Sequence, residues 1–175
     1  ERMIDDLLEY TTARDATIIP TMVRLGDVVT GVAAARIDQA QSRGTVIPAF
    51  DIGNLEPVYA DPVLVRQLVE NLISNAIKYT GAGVAPRIRV HSESDGRLIT
   101  VMIDDNGIGV PDGQHDSIFD NFHRAHAAEH YPGTGLGLGI CKRIVERHGG
   151  TISAAQGRTV RLPVHLHPAG RRDRH

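Results

Sequence analysis

Asn71, Asn75 and Lys78 lie at i, i+4 and i+7 within residues 63–80 (VLVRQLVENLISNAIKYT), so on a helix their side chains stack along one side. Leu64, Leu68, Leu72 and Ala76 form an apolar row at helical spacing, with Val65, Val69 and Ile73 one row over, which predicts a largely buried helix. Two amides and an ammonium on one stripe of such a helix are costly unless something satisfies them. A metal ion and a phosphate would do so: amide oxygens suit a hard cation such as magnesium, and lysine presents a point charge to phosphate.

Two glycine clusters extend this chemistry. Asp104-Asp105-Asn106-Gly107-Ile108-Gly109 directly follows a strand-like run, and Gly133-Thr134-Gly135-Leu136-Gly137-Leu138 directly precedes a helical one. In isolation, a carboxylate before Gly107 and Gly109 caps a turn. Glycines that open a helix leave free N–H groups and the positive end of the dipole for an anion; a glycine hinge is the structural alternative. The GxxxxGK[ST] phosphate loop and the dinucleotide GxGxxG pattern are both absent.

Together with the asparagine helix, these clusters resemble the N, G1 and G2 boxes of the GHKL ATP-binding superfamily. Asn71-Leu72-Ile73-Ser74-Asn75-Ala76-Ile77-Lys78-Tyr79-Thr80 is similar to the version found in the catalytic, ATP-binding domain of sensor histidine kinases. Ile118-Phe119-Asp120-Asn121-Phe122-His123-Arg124 resembles the kinase F box, and the polar stretch after it resembles the ATP lid. The resemblance spans residues 1–165 and implies an α/β fold. The expected architecture is a two-layer α/β sandwich of the Bergerat ATP-binding type, with a mixed sheet covered by helices on one face and a helical stub at the N-terminus.

The same resemblance implies ATP and Mg2+ as cofactors and gives roles to particular residues. Asp105 would accept a hydrogen bond from the adenine amine, with Gly107, Ile108 and Gly109 bringing backbone close to the base. Gly133, Thr134, Gly135, Leu136, Gly137 and Leu138 would hold the phosphates. Asn75 would ligate magnesium, Asn71 would ligate it directly or support the ligands, and Lys78 would neutralise phosphate charge. Tyr79 either packs on the adenine or is an ordinary core aromatic. Phe119 and Phe122 would anchor the lid, Arg124 would reach the phosphates, and Thr159 would stand near the adenine. In water-hydrolysing relatives such as DNA gyrase a glutamate takes the place of Asn71. An amide cannot accept a proton, so slow hydrolysis is expected, with the γ-phosphoryl group kept for a histidine.

That histidine belongs, by resemblance, to the first dimerisation helix. No HExxxP-like motif is present, and His91 and His165 fall in strand-like runs, so the acceptor is expected upstream of Glu1. Residues 2–12 (RMIDDLLEYTT) are amphipathic and too short to be stable alone. They either pack on their own domain or end a longer dimerisation helix, and the IDDLL run favours the latter. This divides the chain into 1–19, the end of the dimerisation helix, 20–167, the ATP-binding domain, and 168–175, a basic tail without structure. The expected partners are the histidine-bearing helices and a response regulator, with the intact protein a homodimer.

The elements that must position these residues follow from local patterns. Residues 22–25 read as a short strand, 25–42 as a helix, and 46–52 and 58–59 as strands around a Gly53-Asn54 turn. Residues 87–92 and 98–104 read as a hairpin turning at Ser94-Asp95-Gly96. Residues 136–147 read as a helix stopped by Gly149-Gly150, with strands at 151–155 and 159–164 closing the sheet. The turn Gln156-Gly157-Arg158 is several residues shorter than the family's glycine-rich turn. His115, His123, His126 and His130 have irregular spacing and no cysteine partners, so they read as solvated lid residues rather than metal ligands.

Composition narrows the classes further. At 175 residues with net charge −2, the chain suits one α/β domain with a short appendage and gives no electrostatic reason to expect nucleic acid. No run approaches a membrane-spanning length, so no membrane contact by this segment is expected. The single cysteine, Cys141, excludes an intrachain disulfide framework and fits a reducing cytoplasm. Two rivals share the nucleotide fold: a non-catalytic nucleotide-binding module, favoured by the short last turn, and an anti-sigma-factor-type serine kinase, disfavoured by the F box and the IDDLL run. Residues 131–135 and 140–150 are most similar to kinases linked to PAS or phytochrome-type sensors.

Overall fold

Residues 2–121, 123–125, 133–154 and 158–163 are described by a computed structural model. In chain order they form α1 (Arg2–Asp15), β1 (Thr21–Val23), α2 (Leu25–Arg43), β2 (Ala49–Ile52), β3 (Val58–Ala60), α3 (Pro62–Lys78), β4 (Arg87–Ser94) and β5 (Leu98–Asp105). A 3-10 turn (Ser117–Phe119), α4 (Gly137–Arg147), β6 (Thr151–Ala154) and β7 (Arg158–Pro163) follow. The main sheet has the order β2-β4-β5-β7-β6; β2 runs parallel to β4 and the other neighbours are antiparallel.

Alternation along the central strands decides which face the helices cover. Ile88 and Val90 of β4 and Ile99, Val101 and Ile103 of β5 are buried on one face, while Arg87 and Arg89 point away and are exposed. The buried face meets α2, α3 and α4 in one cluster containing Val29, Val32, Leu68, Leu72, Ile73, Ile140 and Ile144. The expected two-layer arrangement of a mixed sheet under helices is therefore present.

The hairpin β4–β5 forms where the Ser94-Asp95-Gly96 signal put it. Asp95 Oδ1 accepts from the N–H groups of Arg97 and Leu98, both at 2.8 Å, and Gly96 takes φ +84°. The strands flanking Gly53-Asn54 form, the first only from Ala49 instead of residue 46, but they do not pair with each other. β2 joins β4 in parallel, and β3 pairs antiparallel with β1 in a separate two-stranded ribbon. The apolar face of β2 has its partner across the chain, and the short link to β3 only delivers the chain to α3.

Local signals account for the ends of α2 and α3. α2 stops at Gly44 in the left-handed conformation (φ +62°), its N–H and that of Thr45 returning to the last turn. Asp61 Oδ1 accepts from the N–H groups of Val63 and Leu64 at 3.0 and 3.2 Å, and Pro62 takes the first helical position. α3 ends at Lys78, two residues short of the periodicity, with Tyr79 as C-cap. Thr80 has left the helix, and its hydroxyl donates back to the Ala76 carbonyl.

α1 packs across α4. Asn121 Nδ2 donates to the Tyr10 hydroxyl at 3.0 Å, and Arg147 donates to the Ala16 carbonyl. Met3, Ile4, Leu7 and Leu8 remain exposed, so the amphipathic stub docks through one edge and leaves its apolar stripe uncovered. Among the described residues no helix is long and apolar enough to cross a membrane.

Asp61 also carries a pH dependence. Burial works against its charge, but N–H donors from Ile19, Leu64 and Val63, together with the neighbouring His148, hold its carboxyl below the usual value near 3.8. A depressed carboxyl contributes stability that is present above its unfolded pKa and lost as pH falls through its folded one. The melting temperature should therefore fall as pH drops below about 3.8, and Asp61→Asn should remove part of that fall. Identical acid slopes in the two proteins would show that Asp61 is not a source of it.

Candidate functional site

The amide–ammonium stripe of α3 faces the second glycine cluster across a cleft of about 220 Å³. Asn71, Asn75, Lys78 and Tyr79 form one wall; Gly133, Thr134, Gly135, Gly137 and Leu138 form the other. The glycines bring the backbone close to the α3 side chains. A Cβ at Gly133 would run into the Lys78 ammonium, and one at Gly137 would lie 3.9 Å from Asn75 Nδ2. Gly135 contributes a positive φ of +78°, which lets the chain turn into α4.

The first turn of α4 is open. Leu136 occupies its N-cap and makes no side-chain cap bond, so among the described residues the leading N–H groups of this eleven-residue helix have no side-chain cap, beside Asn75 and Gly137. Lys78 Nζ sits 4.7 Å from the centroid of the Tyr79 ring, a cation–π contact that holds the ammonium at the cleft. Helix dipole and ammonium favour an anion in the same place.

Asn71 adds a second observation: its Nδ2 is buried and has no hydrogen-bond partner among the described residues. A buried amide without a partner costs stability, so a ligand that engages it is the ordinary reason to keep one. The described residues contain no group of three His, Cys, Asp or Glu side chains fit for a metal. The amide oxygens of Asn71 and Asn75 would suit a hard cation such as magnesium, while the Asn71 Nδ2, an N–H donor, suits a phosphate oxygen. Asn71→Leu should raise the melting temperature of the ligand-free protein by about 2–4 °C, from about 1 kcal/mol of relieved desolvation, while weakening magnesium–nucleotide binding. A lower melting temperature would mean the amide is already satisfied.

The first glycine cluster lies on the other side of Tyr79. The Ile108 N–H donates to the Tyr79 carbonyl at 2.8 Å, which docks the turn on the C-terminus of α3. Asp105 Oδ1 accepts from the Gly107 N–H at 2.8 Å, the turn-capping role that this residue type has in isolation. Gly109 takes φ +75° with open space around it, whereas Gly107 is hemmed in by Tyr79 and Asp105. The structure thus brings both glycine clusters to the last turn of α3.

Other candidates lie elsewhere. Phe119 is buried with Ile118 and Ala154 in a second small core, and its neighbour Ile118 is the one that lines the cleft. The Leu136 side chain is in the main core, so only its backbone is available to a ligand. Arg124 is half-buried and outside the lining of this cleft. Thr159 pairs with Met102 and Ser153 inside the sheet. Phe122, His126, His130 and the tail 168–175 fall outside the described residues.

Two further residues reach the cleft that the sequence did not place there. His123, expected to be a solvated lid residue, is half-buried, lines the cleft and has Nε2 2.9 Å from Gln114 Oε1. Glu9 reaches the rim from α1 and accepts a long 3.4 Å hydrogen bond from Gln67. It directly follows the IDDLL run, yet it lies so far along the chain from Asn71 that spacing could not bring it to the cleft.

Known proteins share both the sequence pattern and the fold. Residues 60–168 match the family described as histidine kinase-, DNA gyrase B-, and HSP90-like ATPase. The phytochrome-like protein Cph1 of Synechocystis is 32% identical over 152 residues, covering 87% of this chain and 20% of that protein. The sensor protein KdpD of Escherichia coli is 43% identical over 97 residues, covering 55% of this chain and 11% of that protein. The chain therefore spans a fifth or less of these two relatives. Among solved structures, the catalytic domain of histidine kinase ThkA superposes with a TM-score of 0.66 at 26% identity, covering 83% of this chain and 98% of that one.

Proposed function

Because the chain belongs to the histidine kinase-, DNA gyrase B- and HSP90-like ATPase family, we propose that it is the ATP-binding catalytic domain of a two-component sensor histidine kinase. It binds MgATP and passes the γ-phosphoryl group to a histidine on a dimerisation helix outside these residues. Residues 1–19 end that helical domain and 20–167 form the ATP-binding domain. The exposed stripe Met3, Ile4, Leu7 and Leu8 is the surface that partner helices would cover in a homodimer.

The observation that carries the reading is the pairing of an unpartnered asparagine amide with an uncapped helix N-terminus across one cleft. The phosphates sit at the start of α4 and against Lys78. Magnesium, when bound, offsets charge on the transferring phosphoryl group. Asn75, supported by Asn71, holds the cation, while Asp105 and the Gly107–Gly109 turn hold the adenine end beside Tyr79. Catalysis is then positioning and charge neutralisation. Among the described residues α3 supplies no carboxylate to the cleft, Glu9 at its rim is exposed and engaged by Gln67, and His123 there is engaged by Gln114, so slow hydrolysis is expected.

The test uses ATP labelled at the γ position and a separately supplied helical pair from a sensor kinase bearing its phosphoacceptor histidine. Label should appear on that histidine and be lost in acid. Acid-stable label would instead indicate a serine acceptor, and nucleotide binding without any label would indicate a binding module. A response regulator is the expected next acceptor, and its aspartate should take the label when added.

A further inference from the structure

The N-cap of α3 does more than start a helix. Capping occupies Asp61 Oδ1, which takes the Val63 and Leu64 N–H groups. The other oxygen, Oδ2, accepts from the Ile19 N–H at 2.9 Å, in the linker 16–20 between α1 and β1. The Asp61 N–H donates to His148 Nε2 at 3.0 Å. His148 Nδ1, 2.7 Å from the Ile144 carbonyl, donates there, so the ring is held as the tautomer that can accept from Asp61. Asp61 is 8% exposed and His148 4%, so water does not compete for these bonds.

The geometry converges on the two helices that build the cleft. α3 carries Asn71, Asn75 and Lys78, and α4 opens with the uncapped N–H groups. The Asp61–His148 contact joins the N-terminus of α3 to the C-terminus of α4, at the ends remote from the cleft, and the second carboxylate oxygen adds the linker. A serine or asparagine would cap α3 as well. Neither offers a second acceptor oxygen, so the choice of aspartate is explained by the linker bond.

We propose that Asp61 is a positioning residue that couples the linker to the nucleotide cleft, transmitting the placement of α1 to the relative setting of α3 and α4. The proposal rests on the nucleotide reading given above. Coupling of this kind is reciprocal: what nucleotide does to the linker, the linker does to nucleotide affinity.

Asp61→Asn separates capping from coupling. The asparagine oxygen keeps the bonds to Val63 and Leu64, while its NH2 group faces the Ile19 N–H and cannot accept from it. Amide hydrogen exchange at Ile19 and calorimetric MgADP binding are measured on this chain, wild type and variant. In wild type, MgADP should slow exchange at Ile19 by about tenfold or more. In Asp61→Asn, Ile19 should exchange about tenfold faster without nucleotide and respond little to it, in a chain that stays folded with a melting temperature lowered by a few degrees. Asp61→Ser, which caps with a single hydroxyl, should repeat this loss. MgADP binding that leaves wild-type Ile19 unchanged, or that slows Ile19 equally in both variants, would overturn the proposal while leaving the nucleotide site standing. A folded wild-type chain that binds no MgADP would overturn the site itself.

Discussion

Gly107→Ala should lower the melting temperature by several degrees and weaken ADP binding about 100-fold. A Cβ at this position would meet the Tyr79 carbonyl oxygen at 2.8 Å and Asp105 Oδ1 at 2.6 Å. Neither neighbour is free to retreat. The Tyr79 carbonyl accepts the Ile108 N–H, and Asp105 Oδ1 accepts the N–H of Gly107 itself. Overpacking against fixed groups costs about 1–3 kcal/mol, or about 2–4 °C per kcal/mol in a domain of this size. The turn that would shift is the one bearing Asp105, so binding and stability should fall together. Gly133→Ala is the contrast: its Cβ would meet only the far end of the flexible Lys78 side chain, so stability should hold. A Gly107→Ala protein with unchanged melting temperature and ADP affinity would show that the turn yields easily and does not set the adenine end.

Asn75→Ala should reduce phosphoryl transfer to a supplied histidine by about 100-fold or more, with a small change in metal-free ADP binding. Asn75 projects from the middle of the cleft wall, its amide nitrogen 3.9 Å from where a Cβ on Gly137 would lie, at the start of α4. Its amide oxygen would be a ligand for magnesium when the metal binds with nucleotide. Loss of a ligand or of preorganised charge stabilisation has effects of about 10–1000-fold. The discriminating measurement is ADP affinity as a function of magnesium. Wild type should gain affinity with the metal and Asn75→Ala should gain little. Equal magnesium dependence in the two proteins would remove Asn75 from the metal site.

Much of the cleft is legible in the amino-acid sequence. The α3 stripe can be read because helical periodicity relates residues three and four apart, and every apolar position in the two rows is buried. Asp61 as a cap, Gly44 as a helix end and the Asp95-Gly96 turn follow the same local logic. Gly107 and Gly109 look alike in sequence, yet one lacks a side chain for want of space and the other for its positive φ. Only the neighbouring carbonyl of Tyr79 separates the two cases.

The amino-acid sequence by itself determined most of the elements, the asparagine stripe and the glycine clusters, because these are set by interactions within a turn or two of chain. Tertiary structure alone decided that β2 pairs with β4 instead of β3, that His123 and Glu9 reach the cleft, and that Asp61 serves the linker and His148 as well as its own helix. Ile19 and Asp61 are 42 residues apart, Asp61 and His148 are 87, and Tyr10 and Asn121 are 111. Bonds over such separations depend on which faces the sheet and helices bury against each other. A donor or acceptor finds its distant partner only after apolar packing has brought the two segments together and excluded water from between them.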